Sequence, residues 1–198
     1  MTEKQIEKIK KTIRSHRSKL SAEKRKFGWY DDSGGRRYVI AELYMKIGDY
    51  KGAINYFNWF DKEFSEDIGY PDFNLYKAAA YFENKKMDKA ARETFYTLFS
   101  NVFLIEMICK NPVDHIKYKG YSNLQTKEFA EYTLKTCLTV LSEDFKTWLC
   151  EFICKEEYQN VLKEYVALNK LISDESAGAT RNNLLNQQRL FVSKWAGR

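Results

Sequence analysis

The 198-residue chain contains only two prolines and nine glycines. The turns between the strands of a β-sandwich are rich in these residues, so their scarcity argues against that class and favours helices. No stretch reaches the roughly 18 uninterrupted apolar residues that a membrane-spanning helix needs. The most apolar run, from Phe95 to Cys109, is broken by Ser100, Asn101 and Glu106. We therefore expect a cytoplasmic all-α protein with no membrane contact and a single core.

The residue types that carry most catalytic and metal chemistry are also scarce. There are two histidines, His16 and His115, and the four cysteines are Cys109, Cys137, Cys150 and Cys154. No two cysteines have C-x-x-C spacing, and no histidine lies near the last two, so a zinc site is not predicted. We expect buried free thiols in a reducing compartment. Hydrolase, metalloprotease and dinucleotide-binding motifs are lacking too, which predicts a non-enzyme without metal or cofactor.

What the chain does have is a concentration of aromatic and apolar residues between Tyr38 and Phe57. Their spacing predicts a helix that ends at Gly48, because glycine adopts the left-handed conformation without a Cβ penalty. Asp49 follows as an N-cap for a second helix. In that helix Ala53 is small enough for the two helices to pack closely. The stretch therefore predicts an antiparallel helical hairpin.

This hairpin resembles the tetratricopeptide repeat, whose small and aromatic residues recur around a turn glycine. The matching residues are Ala41, Tyr44, Gly48, Tyr50, Ala53 and Phe57. Arg37 and Ser65 stand where the family has an early aromatic residue and a late proline. A second copy follows at an offset of 37 residues and is marked by Ala78, Tyr81, Met87 and Ala90. A weaker third copy lies at 148–165. The resemblance implies stacked antiparallel helical hairpins that form a right-handed α-solenoid.

Three regions are expected. They are a basic N-terminal helix at 1–27, a linker rich in glycine and aspartate at 28–35, and a repeat domain at 36–198. Within the repeat domain, a terminal helix at 180–198 starts with Thr180 as its cap and closes the last repeat. Phe191 and Trp195 give the terminal helix its apolar side, which either seals the repeats or docks a partner.

The segment 1–27 carries ten lysines or arginines against three glutamates, a net charge of +7, whereas the whole chain is +6. Its narrow apolar stripe predicts packing on the first hairpin or pairing with a second copy of the chain. Its charge predicts, as the alternative, contacts with nucleic acid or an acidic partner. Attachment to a membrane surface lacks the broad apolar face that such helices use. The expected nucleic-acid contacts are Lys10, Lys11, Arg14 and Arg17.

The resemblance also implies a concave groove that holds a peptide or protein segment. The positions that face such a groove are Tyr38, Glu42, Met45 and Lys46 in the first unit and Leu75, Ala79, Phe82 and Glu83 in the second. Tyr38 and Glu42 replace the family's lysine–asparagine pair, so recognition of a C-terminal carboxylate is not supported. The leading hypothesis is a non-enzymatic protein-interaction scaffold. The alternative is a nucleic-acid-associated or regulatory protein that acts through residues 1–27.

Overall fold

The computed structural model describes residues 1–30 and 34–197, so Asp31, Asp32 and Ser33 of the expected linker lie outside the described residues. The described part is helical and contains no strand, which confirms the all-α prediction. The helices are α1 (Glu3–Phe27), α2 (Arg36–Lys46), α3 (Tyr50–Glu63), α4 (Pro71–Glu83), α5 (Met87–Ser100), α6 (Leu104–Ile108), α7 (Lys127–Val140), α8 (Glu143–Ile153), α9 (Glu156–Asp174) and α10 (Ala179–Ala196), with a short 3-10 helix at Asn123–Gln125.

Helix α1 is capped at both ends and packs against α2. Thr2 and Gln5 form a reciprocal capping box at its start, and Gly28 ends it in the left-handed conformation with φ +80°. Ile13 and Leu20 are buried in the core that α1 shares with the first hairpin. The apolar stripe of the N-terminal segment therefore packs against the first hairpin of the same chain.

The first two hairpins, α2–α3 and α4–α5, have the same turn. Gly48 has φ +66°, and Lys85, 37 residues later, has φ +59°. The backbone N–H of Gly48 donates to Met45 O at 3.0 Å, and that of Lys85 donates to Phe82 O at 2.8 Å. Asp49 caps α3 as predicted, since its side chain accepts from the Gly52 N–H at 2.9 Å.

Small residues fill the positions where the paired helices meet. The four alanines at matched positions, Ala41, Ala53, Ala78 and Ala90, are completely buried. In the first hairpin, the Tyr56 hydroxyl donates to the Arg37 carbonyl at 2.7 Å, which joins the middle of α3 to the start of α2. In the second, Lys77 on α4 pairs with Glu93 on α5 at 3.2 Å. These contacts fix an antiparallel arrangement within each pair.

The second hairpin ends earlier than its sequence predicts. The helical periodicity that begins at Met87 predicts a helix to about Cys109, but α5 stops at Ser100 because Asn101 leaves the helical conformation. The Asn101 side chain is fully buried; its Oδ1 accepts from the N–H groups of Phe103 and Leu104, and its Nδ2 donates to two carbonyls in 124–126. Four satisfied hydrogen bonds outweigh the few helical bonds that are given up.

The C-terminal part begins with well-capped helices. Thr126 caps α7 and Ser142 caps α8, each by accepting a backbone N–H three residues later. Helix α10 packs on α5 and α9. Its Phe191 and Trp195 rings lie 5.9 and 5.1 Å from Phe99 and Phe95 of α5. Gly178, rather than the expected Thr180, occupies the N-cap position of α10, without a side-chain capping bond.

The cysteines differ from expectation in one pair. Cys109 and Cys150 form a disulfide that joins the end of α6 to α8, so the prediction of four free thiols is wrong for these two. Cys137 is free and buried, and burial raises the pKa of its thiol to about 12. Cys154 is free and exposed. None of the described helices is long and apolar enough to cross a membrane.

Candidate functional site

Helices α2, α4 and α7 enclose an open cavity of about 450 Å³, which we call the groove. The α2 and α4 walls come from the first helix of each hairpin, and α7 forms the third wall. The groove is lined by Gly34, Gly35, Tyr38, Val39, Glu42, Tyr70, Asp72, Phe73, Tyr76, Asn123, Leu124, Phe129, Tyr132 and Thr133. Six of these side chains are aromatic, two are carboxylates, and none is a lysine or arginine.

The aromatic rings form a continuous wall from α2 to α7. The Tyr38 ring lies 4.3 Å from that of Tyr70 and 5.5 Å, edge-on, from that of Phe73. Tyr70 lies in turn 6.3 Å from Phe129 on α7. The Tyr38 hydroxyl donates to Asp67 at 2.6 Å, which fixes its ring. At the mouth of the groove, Tyr132 is 82% exposed and makes no ring contact within the described chain.

The floor of the groove is acidic. Glu42 pairs with Lys46 one turn away on α2, on the solvent side. Asp72, in the first turn of α4, has a buried Oδ1 without a hydrogen-bond partner among the described residues. Burial raises the pKa of Asp72; the backbone N–H groups of Phe73 and Asp72 at the start of α4 oppose the rise, and the negative charge of Glu42 adds slightly to it. Burial also raises the pKa of Tyr76, with smaller contributions from its neighbours Cys137, Asp72 and Glu42.

This combination of groups fits a cation. An aromatic face attracts an ammonium or guanidinium group electrostatically. An unpartnered carboxylate oxygen in a partly buried site gains a charge-assisted hydrogen bond from the same group. A cation would also remove the cost of leaving Asp72 ionised but unpaired. The groove therefore has the chemistry to bind a lysine or arginine side chain and lacks the groups for an anion.

The predicted partner-contacting residues are dispersed by the fold. Tyr38 and Glu42 line the groove. Lys46 is exposed but is held by Glu42. Met45 and Leu75 are buried in the core, as is Ala79, so they have no accessible surface for a partner.

The other two predicted residues, Phe82 and Glu83, serve the contact with α8. The Phe82 ring packs 5.6 and 5.2 Å from the rings of Phe145 and Trp148. The Glu83 carboxylate accepts a hydrogen bond from Ser142, the N-cap of α8. These two side chains thus hold the third helical pair against the second hairpin.

Sequence reasoning singled out only Tyr38 and Glu42 among the fourteen groove residues, and the residues it missed include Asp72, Tyr76 and Tyr132. Asp72 and Tyr76 lie on α4 one turn apart and could have been found by applying the groove register one turn earlier. Tyr132 belongs to α7, which has no counterpart in the repeat pattern. Only the tertiary fold brings that helix against α2 and places its Cys137 beside Tyr76 of α4.

The four basic residues proposed for nucleic acid divide into two groups. Arg14 pairs with Glu7 at 2.7 Å, and Arg17 donates to the Tyr44 hydroxyl at 3.2 Å. Arg17 also lies 6.0 Å from the centre of the Tyr56 ring, so it helps to fasten α1 to the first hairpin. Lys10 and Lys11 are exposed and form no ion pair within the described residues.

Among the described residues, no group of three or more His, Cys, Asp or Glu side chains could hold a metal ion. The chain matches no family model, and no curated protein or solved structure matches it. The resemblance to the tetratricopeptide repeat therefore stays a prediction that rests on the residues themselves.

Proposed function

We propose that this protein is a non-enzymatic interaction scaffold that binds an extended segment of a partner protein in the groove, with a lysine or arginine side chain of that segment as its anchor. The observation that carries this proposal is the unpartnered Asp72 oxygen beneath the aromatic wall. A basic side chain can place its charged head on Asp72 while its methylene stem lies along the rings.

The arrangement of the hairpins supports an extended occupant. In our proposal, the two pairs with matched turns stack as the start of a tetratricopeptide-like solenoid, and the groove lies on its inner side. Such surfaces usually hold extended segments, because the first helices of successive pairs form a continuous trough. Tyr38 and Glu42 on α2 and Asp72 and Tyr76 on α4 line that trough in order.

The binding experiment uses N-acetyl-arginine amide as the probe and N-acetyl-citrulline amide as its uncharged control. Both are titrated into the isotopically labelled protein, and backbone and ring resonances are followed. We expect the arginine probe to shift resonances of Tyr38, Tyr76 and Tyr132, and the citrulline probe to bind at least tenfold more weakly, since the ionic contribution is lost.

Two variants separate charge from shape. Asp72→Asn keeps the size of the side chain and removes its charge, so we expect at least tenfold weaker binding of the arginine probe. Tyr132→Ala removes an exposed ring without disturbing the core and should weaken binding about threefold. Glu128→Gln, an exposed carboxylate on α7 outside the groove, is the matched control and should leave binding unchanged.

Equal binding of both probes, or full binding by Asp72→Asn, would contradict the cation anchor. A randomised peptide library then tests the segment itself. Selection on the wild-type protein should enrich peptides with a lysine or arginine at one fixed position, and selection on Asp72→Asn should not. Binding of the free probe without enrichment of any peptide would instead favour a small amine as the ligand and would overturn the scaffold proposal.

A further inference from the structure

We propose that the exposed face of α1, together with the rings of Phe27 and Trp29, binds single-stranded nucleic acid. This role does not depend on the groove, because α1 contributes no residue to its lining. Three features of the helix carry the inference: its rigid attachment, its unpaired charges and the two exposed rings at its end.

The helix is held rigidly by contacts on its inner side and flanks. Besides Ile13 and Leu20, it is fastened by Arg17 to Tyr44 and by Lys24, which pairs with Glu63 at the end of α3. Arg36 of α2 pairs with Glu23 at 2.8 Å. Glu23 is therefore used to attach the helix to α2, and the outer face is presented without rearrangement.

The outer face carries positive charge with no partner. Lys4, Lys8, Lys11, Lys19 and Arg25 are exposed and form no ion pair within the described residues. At a rise of 1.5 Å per residue, the stripe from Lys4 to Arg25 is about 32 Å long. Glu7 lies at one edge of this face and is occupied by Arg14; that hydrogen bond lowers the pKa of Glu7. Repulsion among the free charges is relieved when a phosphate backbone lies along them.

Two exposed aromatic rings stand at the C-terminal end of the stripe. Phe27 is 41% and Trp29 66% exposed, and their ring centres are 6.1 Å apart. Gly28 between them has φ +80°, which turns the chain sharply at this point. Lys26 lies 4.8 Å from the centre of the Phe27 ring. Exposed rings beside lysines are the groups on which unpaired bases stack in single-strand-binding proteins.

The same features argue against other polyanions. A duplex offers phosphates but keeps its base faces stacked, so Phe27 and Trp29 would gain nothing from it. An anionic membrane needs a broad apolar helix face to insert, and the apolar side of α1 is already buried against the first hairpin. A flexible single strand can follow the stripe with its phosphates and place a base on the rings.

The test measures fluorescence anisotropy of a labelled oligo-U strand of about 20 nucleotides over a range of salt concentrations. The first variant is the triple change Lys8→Gln, Lys11→Gln and Lys19→Gln. Its matched control changes three exposed, unpaired lysines elsewhere, Lys51→Gln, Lys119→Gln and Lys163→Gln, so that both proteins have the same net charge.

We expect the α1 variant to lower the steepness of log K against log salt by about 2, because three phosphate contacts are lost at about 0.7 each for a single strand. The control should keep the wild-type slope. Equal loss of slope in both proteins would overturn the proposal, since net charge alone would then explain binding. Wild-type protein that does not bind the strand at low salt would also overturn it.

The rings are tested separately. Trp29→Ala should weaken binding of the single strand about tenfold, and Trp29→Phe should restore most of it, because a base stacks on any aromatic face. The matching duplex and phosphatidylserine vesicles are the comparison ligands. Unchanged single-strand affinity in Trp29→Ala, or tighter binding to either comparison ligand than to the strand, would contradict the assignment.

Discussion

The two hairpins α2–α3 and α4–α5 have the same turn conformation but different residues at the turn. Gly48 and Lys85 both adopt the left-handed conformation at the turn, and the hydrogen bonds that follow match at an offset of 37 residues. Glycine is the residue that this conformation favours, so Lys85 shows that tertiary packing can impose it on a side chain that disfavours it. The turn conformation is therefore kept although lysine replaces glycine.

The pair also differs in how the core is filled. Ile40 in the first hairpin corresponds to Lys77 in the second, and both are almost completely buried. The facing position holds Tyr56 in the first and Glu93 in the second. In the first hairpin the Tyr56 hydroxyl donates to the Arg37 carbonyl, whereas in the second Lys77 pairs with Glu93 and also with Asp61 on α3 at 2.6 Å. The second hairpin uses this pair to bind the first.

The largest expected effect tests whether the two matched hairpins unfold independently of the third helical pair, α8–α9. The Cys109–Cys150 disulfide closes a loop of 41 residues, which corresponds to about 4 kcal/mol of unfolding free energy in the chain-entropy estimate. Changing both cysteines to alanine should lower stability by about that amount, with hydrogen exchange in α8 rising more than in α2–α3. Cys154→Ala, an exposed free thiol, is the control. Uniform loss of protection would make all three pairs one cooperative unit.

Next in size is the buried ion pair. Lys77→Met removes the positive charge that pairs with Glu93. It should destabilise the protein by about 3 kcal/mol, as measured by urea unfolding. Lys62→Met, at an exposed lysine of α3, should change stability by less than about 0.5 kcal/mol. Introducing the residues of the first hairpin, Lys77→Ile with Glu93→Tyr, should recover at least half of the loss. A double variant as weak as Lys77→Met would show that the two cores are not interchangeable.

A third left-handed turn, at Lys110 with φ +59°, follows α6 and extends the comparison to that helix. A buried glutamate in this turn, Glu106, predicts that stability depends on pH. Burial raises the pKa of Glu106, a residue of that turn, above its ordinary value of 4.5, although Asn111 and His115 oppose the shift. The native state therefore keeps a proton that the unfolded chain releases, so this contribution to stability is present below pH 4.5 and lost as pH rises through the native pKa.

Glu106→Gln remains uncharged at every pH. Its stability relative to wild type should therefore increase from pH 4.5 upwards and exceed it by about 1 kcal/mol near pH 8. Urea unfolding at several pH values measures the difference, with Glu128→Gln as the exposed control. A difference that stays constant with pH would show that Glu106 does not titrate in this range.

The smallest expected effect concerns the turn itself. Lys85→Gly should raise stability by about 0.5–1 kcal/mol, because the left-handed strain disappears while the unfolded chain gains some freedom. The reverse change, Gly48→Lys, should lower stability by a similar amount. A Cβ at Gly48 would meet no atom within 4 Å, so the cost is limited to the strain of the left-handed conformation. If the two changes have the same sign, the turns are not equivalent despite their matching hydrogen bonds.

Sequence reasoning captured the local structure well. The left-handed turn at Gly48, the Asp49 cap, the buried alanines and the approximate bounds of the first and last helices follow from spacing and capping, which are local properties. It did not find the break at Asn101, because that residue leaves the helix only when a distant loop offers it two carbonyls. It also missed the disulfide and the position of α7, which depend on contacts far apart in the chain. For the same reason, only Tyr38 and Glu42 of the fourteen groove residues were predicted.

Asn101 has a consequence for recognition. Its amide N–H groups hold the carbonyls of Leu124 and Thr126, and Thr126 is the cap from which α7 starts. The third wall of the groove is thus anchored at the residue that ends α5. Replacing the Asn101 amide by a carboxylate would remove both N–H donors and shift the start of α7. In the proposed function, a residue outside the groove lining would thereby change which segments the groove accepts.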